Sequence, residues 1–167
     1  MSNRDSPNHF YCKAAGVSHA NEDGTSRQSV IGRCNLGEPI ALDHDESNAF
    51  DKYAVRLLRS NGDQIGFLPS DLARQVVQRS NTGTRYAAFI SDLTGGTSDR
   101  PTRGVNLLMV AAPPGVSDAE AQDYIDRTLG SDPTSNLAGL GSSSGSGCAS
   151  LVCMAIIVAT SVLFFIR

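Results

Sequence analysis

The run from Ala54 to Val77, AVRLLRSNGDQIGFLPSDLARQVV, constrains the fold more than any other stretch of the chain. Ala54 to Arg59 reads as a strand. Asn61-Gly62 predicts a hairpin with a two-residue type I′ turn, because both residues tolerate positive φ. Asp63 to Leu68 is the return strand. Pro69 ends the ladder because it has no N–H, and Ser70-Asp71 is expected to cap a short helix with Leu72, Ala73, Val76 and Val77 as its apolar stripe.

Four further strands are predicted over Phe10 to Val17, Glu38 to Leu42, Tyr86 to Leu93 and Val105 to Ala111. Ser26 N-caps a first helix expected to reach Cys34, with Val30, Ile31 and Cys34 on its buried side. The outcome is mainly β (α+β), with about six strands and two helices, and no repeat at a period of 20–50 residues. About 105 of the 167 residues belong to this block, enough for one modest core. Residues 94–103, rich in Gly, Ser and Thr, are expected to form a mobile loop able to cover a ligand.

Charge limits the partners. Residues 1–115 hold 12 Lys and Arg against 12 Asp and Glu, and residues 116–167 hold 2 against 5. A neutral domain is poorly suited to gripping long duplex, which relies on many phosphate contacts, whereas a short strand or a strand end needs few. Arg74, Arg79 and Arg85, with Arg56 and Arg59, form either a local basic edge or a solvated face.

The chemistry-bearing cluster is Asn48, Phe50 and Asp51: an amide, a flat ring and a carboxylate within four positions. These groups suit a base and a sugar hydroxyl. The same residues also suit a self-braced loop, with Asn48 making an Asx bond, Asp51 accepting backbone N–H groups and Phe50 anchoring the core. Arg27 and the start of its helix suit a phosphate, or else Arg27 bridges to Asp23 or Glu22. His19 has no second ligand at metal spacing and is expected to pack or hydrogen-bond locally. Cys12 and Cys34 fall in elements expected to be buried. No CxxC or Cys/His pattern indicates zinc, and no metal or other cofactor is implied.

Three ordered motifs resemble the HIRAN domain family over about Phe10 to Pro114. They are AGVSH…DGTSRQ at Ala15 to Gln28, N-x-[FY]-D-x-x-A-[VI] at Asn48 to Val55, and G-x-Q-[IV]-G-x-L-P at Gly62 to Pro69. The resemblance implies a small OB-like β-barrel that binds nucleic acid and, in eukaryotic helicase-like members, reads the 3′ end of single-stranded DNA. Carried over, Phe50 would stack on the terminal base and Asp51 would accept from the 3′ hydroxyl, with Asn48, His19, Arg27, Gln28 and Phe67 completing the nucleic-acid-binding set. A carboxylate repels phosphate, which favours a free hydroxyl end. Stacking on a ring is worth roughly 1–3 kcal/mol per base and tolerates any sequence. This chain has Phe50 where the end-reading members carry Tyr, Phe67 where they carry a polar ring, and His19 alone against their aromatic pair.

The resulting division is a tail at 1–9, the HIRAN domain at 10–114, a short amphipathic helix at 115–130, a linker at 131–147 and a transmembrane helix at 148–166. Ser117 to Glu120 is a capping-box signature, with Ala121, Tyr124, Ile125 and Leu129 as the apolar face behind it. The Ser/Gly-rich stretch that follows has the composition of a tether. Cys148 to Ile166 is nineteen residues without a charge, about 28 Å as a helix, close to the hydrocarbon thickness of a bilayer. Cys148, Leu151, Ile156, Ile157, Val162, Phe164 and Phe165 would anchor it in lipid. Met1 to Asn8 is polar and lacks an apolar signal core, so the expectation is a single-pass membrane protein with a cytoplasmic globular part.

The chain carries no G-x-x-x-x-G-K-[ST], G-x-S-x-G or H-E-x-x-H motif, and the expectation is that it is not an enzyme. A non-catalytic nucleic-acid module tethered to a membrane is expected, with any helicase, nuclease or other protein acting in trans. The alternative is a membrane-anchored protein–protein interaction adaptor using the same groove or the helix after Ser117.

Overall fold

The computed structural model describes residues 6–130. Six strands are present: β1 (Asn8–Lys13), β2 (Pro39–His44), β3 (Val55–Leu58), β4 (Gln64–Phe67), β5 (Arg85–Thr94) and β6 (Gly104–Ala112). Three helices accompany them: α1 (Arg27–Ile31), α2 (Ser70–Ser80) and α3 (Asp118–Gly130). The strands form one antiparallel sheet in the order β1-β6-β5-β2-β3-β4.

The sheet curls until its two ends meet. Ala15, just after β1, pairs with Phe67 of β4, donating its N–H to the Phe67 oxygen at 2.8 Å and accepting from Phe67 N at 3.0 Å. Gly66 permits this approach, because a Cβ there would lie 2.6 Å from the Ala15 carbonyl oxygen. The seam is one bridge, Ala15 to Phe67, and it joins the two edges of the sheet at that point.

Alternation along the strands sorts their side chains. Val105, Leu107, Met109 and Ala111 of β6 join Ile40, Leu42, Val55, Leu57, Ile65 and Ile90 inside the barrel, sealed by Val30 and Ile31 of α1 and Ala73, Val76 and Val77 of α2. The opposite face of β6 is covered too. Leu108 and Val110, with Phe89 of β5, pack against Ile125, Tyr124 and Leu129 of α3. A strand buried on both faces explains the near-continuous apolar run of β6.

The Ser117–Glu120 capping box forms as its sequence predicts, with Ser117 N donating to Glu120 Oε2 at 2.9 Å and Glu120 N to Ser117 Oγ at 3.2 Å. Arg85 of β5 bonds Asp118 and the Val116 carbonyl, tying the start of α3 to the barrel. The apolar face of α3 is therefore occupied by its own domain.

Several local expectations are corrected. The β3–β4 connection is a three-residue loop: Gly62 N donates to the Arg59 oxygen and Arg59 N to the Asp63 oxygen, so Ser60 joins Asn61 and Gly62 in the turn. Gly62 takes positive φ at 87°, the left-handed position that follows a type I turn in such loops. Pro69, not Ser70 or Asp71, holds the N-cap position of α2, with no side-chain cap bond. The first helix ends at Ile31. Cys34 lies beyond it, buried, with Sγ 3.6 Å from the Val30 carbonyl. β1 begins at Asn8, inside the segment expected as a tail.

The expected linker and membrane span at 131–166 lie outside the described residues, Cys148, Leu151, Ile156, Ile157, Val162, Phe164 and Phe165 among them. Among the described residues no helix is long and apolar enough to cross a membrane.

Candidate nucleic-acid interface

The loop between β2 and β3 is wound by three Asx side chains. Asp45 is 7% exposed and its two carboxylate oxygens accept from Ser47 Oγ at 2.9 Å and Asn48 Nδ2 at 3.1 Å. Asn48 Oδ1 accepts in turn from the N–H groups of Phe50 and Asp51, at 3.0 and 3.1 Å. Asp51 Oδ1 accepts from Tyr53 N at 2.9 Å. Burial pushes the Asp45 carboxyl up, but hydrogen bonds from Asn48 and Ser47 and the charge of Arg56 outweigh it, so its pKa settles below the ordinary carboxylate value.

This brace decides between the readings left open by the sequence. Asn48 and Asp51 do shape the loop, as the local reading has it. Phe50 is not a core anchor: its side chain sits at the loop tip, 100% exposed. Asp51 keeps its second oxygen, Oδ2, without a hydrogen bond among the described residues. A loop braced by its own hydrogen bonds thus offers a bare aromatic ring beside an available carboxylate oxygen.

The second cluster gathers around Gly16. A Cβ at that position would meet Arg27 Nη1 at 3.1 Å and the rings of His19 and Phe67 at 3.8 Å each. Arg27 is 6% exposed. Its Nε donates to Asn21 Oδ1 at 2.6 Å, its Nη1 to the Gly16 carbonyl at 2.9 Å, and its guanidinium carbon lies 5.0 Å from the Phe67 ring centroid. Arg27 therefore does not bridge to Asp23 or Glu22, and Asp23 accepts from Thr25 N instead. Gln28 donates to the carbonyls of Val17 and Arg103 and accepts from Arg103 N at 2.7 Å.

The structure thus brings His19, Arg27 and Phe67 together, and it makes Arg27 and Gln28 braces of the seam. Phe67 is half-buried beneath Arg27, whereas His19 is exposed. The Asn48–Asp51 loop leads into β3 at the end where Phe67 leaves β4, Arg56 of β3 pairing with Phe67. The loop after β5, expected to be mobile, has its far end tied to α1 through the Gln28–Arg103 bonds.

The expected basic edge is largely neutralised. Arg56 donates to Asp43 at 2.7 Å, Arg59 to Glu38 at 2.6 Å, and Arg85 pairs with Asp118. Sequence reasoning missed two other features. Asp45 anchors the loop, and the Asp45, Asn48, Asp51 spacing of three is the signal that marks it. Tyr53, half-buried against the core, has Lys52 Nζ 5.0 Å and Arg74 Cζ 5.5 Å from its ring centroid. A separate concavity of about 480 Å³ lies across β1, β5 and β6, lined by Tyr11, Cys12, Ser91, Asp92 and Asn106, and includes none of the predicted site residues. No group of His, Cys, Asp and Glu among the described residues is placed to hold a metal.

No curated protein matches the chain. Among solved structures, the crystal structure of the HIRAN domain of human HLTF is 18% identical, with 73% of this chain and 88% of that one covered at a TM-score of 0.47. A crystal structure of a Lactobacillus plantarum protein is 10% identical, with 64% and 97% covered at 0.49. The HLTF HIRAN domain in its DNA-bound conformation, solved by NMR, is 19% identical, with 73% and 88% covered at 0.42. The family model of the HIRAN domain matches residues 7–99, more than half of the chain, and the protein belongs to the HIRAN domain family.

Proposed function

We propose that this chain is a non-catalytic DNA-binding module that takes single-stranded DNA, at its 3′ end, on the Asn48–Asp51 loop. The observation that carries the proposal is Phe50, wholly exposed on a loop held by Asp45, Asn48 and Asp51. A large ring left bare on a pre-organised loop is suited to stacking, since little order remains to be imposed on binding. The free oxygen of Asp51 suits a terminal hydroxyl and opposes a terminal phosphate. Family membership and the DNA-bound state of the HLTF domain support the same ligand class. Residues 148–166 would hold the module at a membrane, with 131–147 as tether and the globular part on the cytoplasmic side.

The neutral charge of residues 1–115 favours a second reading, a protein-binding adaptor that uses the same exposed ring. Fluorescence anisotropy separates the two. The full chain in non-ionic detergent is titrated onto a labelled ten-nucleotide strand and onto a blunt duplex of equal length at low salt. The proposal expects the single strand to bind more tightly and Phe50→Ala to weaken it. Absence of binding to either, with the ring intact, favours the adaptor.

A further inference from the structure

Beside Phe50 and Asp51 lies a second arrangement that their roles do not explain. Lys52 and Arg74 come from different elements, the β2–β3 loop and α2, yet both cations collect around the Tyr53 ring. Neither forms an ion pair among the described residues, whereas Arg33, Arg56 and Arg59 each sit on a carboxylate. Both cations are exposed. Tyr53 is fixed from below by the core, and the Lys52 carbonyl is pinned by His44 Nε2 at 2.8 Å. Two like charges, each within 5.5 Å of one ring centroid, repel each other, and an anion drawn to both relieves that repulsion.

From this we infer that Lys52 and Arg74, held by Tyr53, form a clamp for the phosphodiester that precedes the strand end. The inference rests on the end-binding reading and deepens it. Asp51 repels phosphate, so the hydroxyl end lies on Asp51 and the nearest backbone charge falls to the adjacent Lys52 and to Arg74. The chain order Phe50, Asp51, Lys52, Tyr53 then sets base, hydroxyl and phosphate contacts side by side. Tyr53 is a positioning residue. It touches the cations and not the strand.

The test is the salt dependence of binding. Each phosphate neutralised contributes about 0.7 to the slope of log affinity against log salt for a single strand. Affinity of the full chain for a labelled ten-nucleotide strand is measured from 50 to 200 mM salt for wild type, Lys52→Gln with Arg74→Gln, Tyr53→Leu, Tyr53→Phe and Phe50→Ala. The double variant is expected to lower the slope by about 0.7, narrowing the affinity ratio across that range roughly two- to threefold. Tyr53→Leu should lose part of the slope and Tyr53→Phe should keep it, the slope being a count of phosphate contacts that a uniform weakening of binding leaves unchanged. Phe50→Ala should weaken binding with the slope unchanged. Wild-type binding with an unchanged slope in the double variant overturns the clamp alone. No wild-type binding overturns the clamp and the end-binding reading together. Loss of binding to phosphatidylserine vesicles in the double variant, with oligonucleotide slopes intact, would assign the patch to lipid and also overturn it.

Discussion

Replacing Gly66 by alanine drives a methyl group into the barrel seam. The new Cβ would lie 2.6 Å from the Ala15 carbonyl oxygen, where ordinary contact begins at 3.4 Å, and the obstructing atom is backbone with no rotamer to escape into. The segment carrying Ala15 must move away by most of an ångström. Its two bonds to Phe67, at 2.8 and 3.0 Å, then leave hydrogen-bonding range. At roughly 0.5–1.5 kcal/mol net for each bond, the expected loss is about 1–3 kcal/mol. The sign is diagnostic, because Gly→Ala at an unobstructed site that alanine can adopt stabilises by about 0.4–1 kcal/mol. Urea unfolding of the full chain, followed by circular dichroism, should show the midpoint falling by about 1 M, for a slope near 2 kcal/mol/M, with that slope unchanged. An unchanged or higher midpoint would refute the seam as the element that closes the barrel.

Other expectations follow from the two clusters. Arg27→Met should cost on the order of 2–4 kcal/mol in denaturant unfolding, because the Gly16 carbonyl and Asn21 Oδ1 lose their donor. Arg27→Lys should not restore it, since an ammonium lacks the guanidinium fork. Phe50→Ala should leave stability within about 0.5 kcal/mol while weakening single-strand affinity by roughly 1–3 kcal/mol, both read on one preparation. The Asp45 carboxyl titrates below its ordinary value, so the stability it contributes is present above pH about 4 and lost as pH falls through its folded pKa. Asp45→Asn should therefore flatten the acid limb of a stability–pH curve. Burial raises the Cys12 thiol to about 11, so peptide mapping after iodoacetamide treatment of the native chain at pH 8 should find Cys12 unmodified.

The strands were legible because their patterns are long and bounded by turn residues. Val105 to Ala111 marks a strand that runs one residue further at each end, and Ser117 to Glu120 announced its helix through a reciprocal pair of bonds set by local spacing alone. The β3–β4 turn was misread because Asn61-Gly62 suits two loop lengths, and the strand twist selects between them only once both strands are paired. At the site, Phe50 could be singled out by residue type, but its exposure depends on the Asp45–Asn48 bond. Arg27 shows the limit most plainly. Its partners Gly16 and Phe67 lie 11 and 40 positions away, so an arginine that reads as a phosphate ligand proves to be a brace inside the barrel seam. The Tyr53–Arg74 contact is similarly invisible before α2 is folded back on the loop.

End recognition by Asp51 is the central claim, and end chemistry tests it most directly. Anisotropy of the full chain with otherwise identical short strands ending in a free 3′ hydroxyl or a 3′ phosphate, repeated with Asp51→Ala, reads the claim in one comparison. The account predicts tighter binding to the hydroxyl end and loss of that preference in the variant. Equal affinity for both ends in the wild type, or a preference that survives in Asp51→Ala, would contradict it.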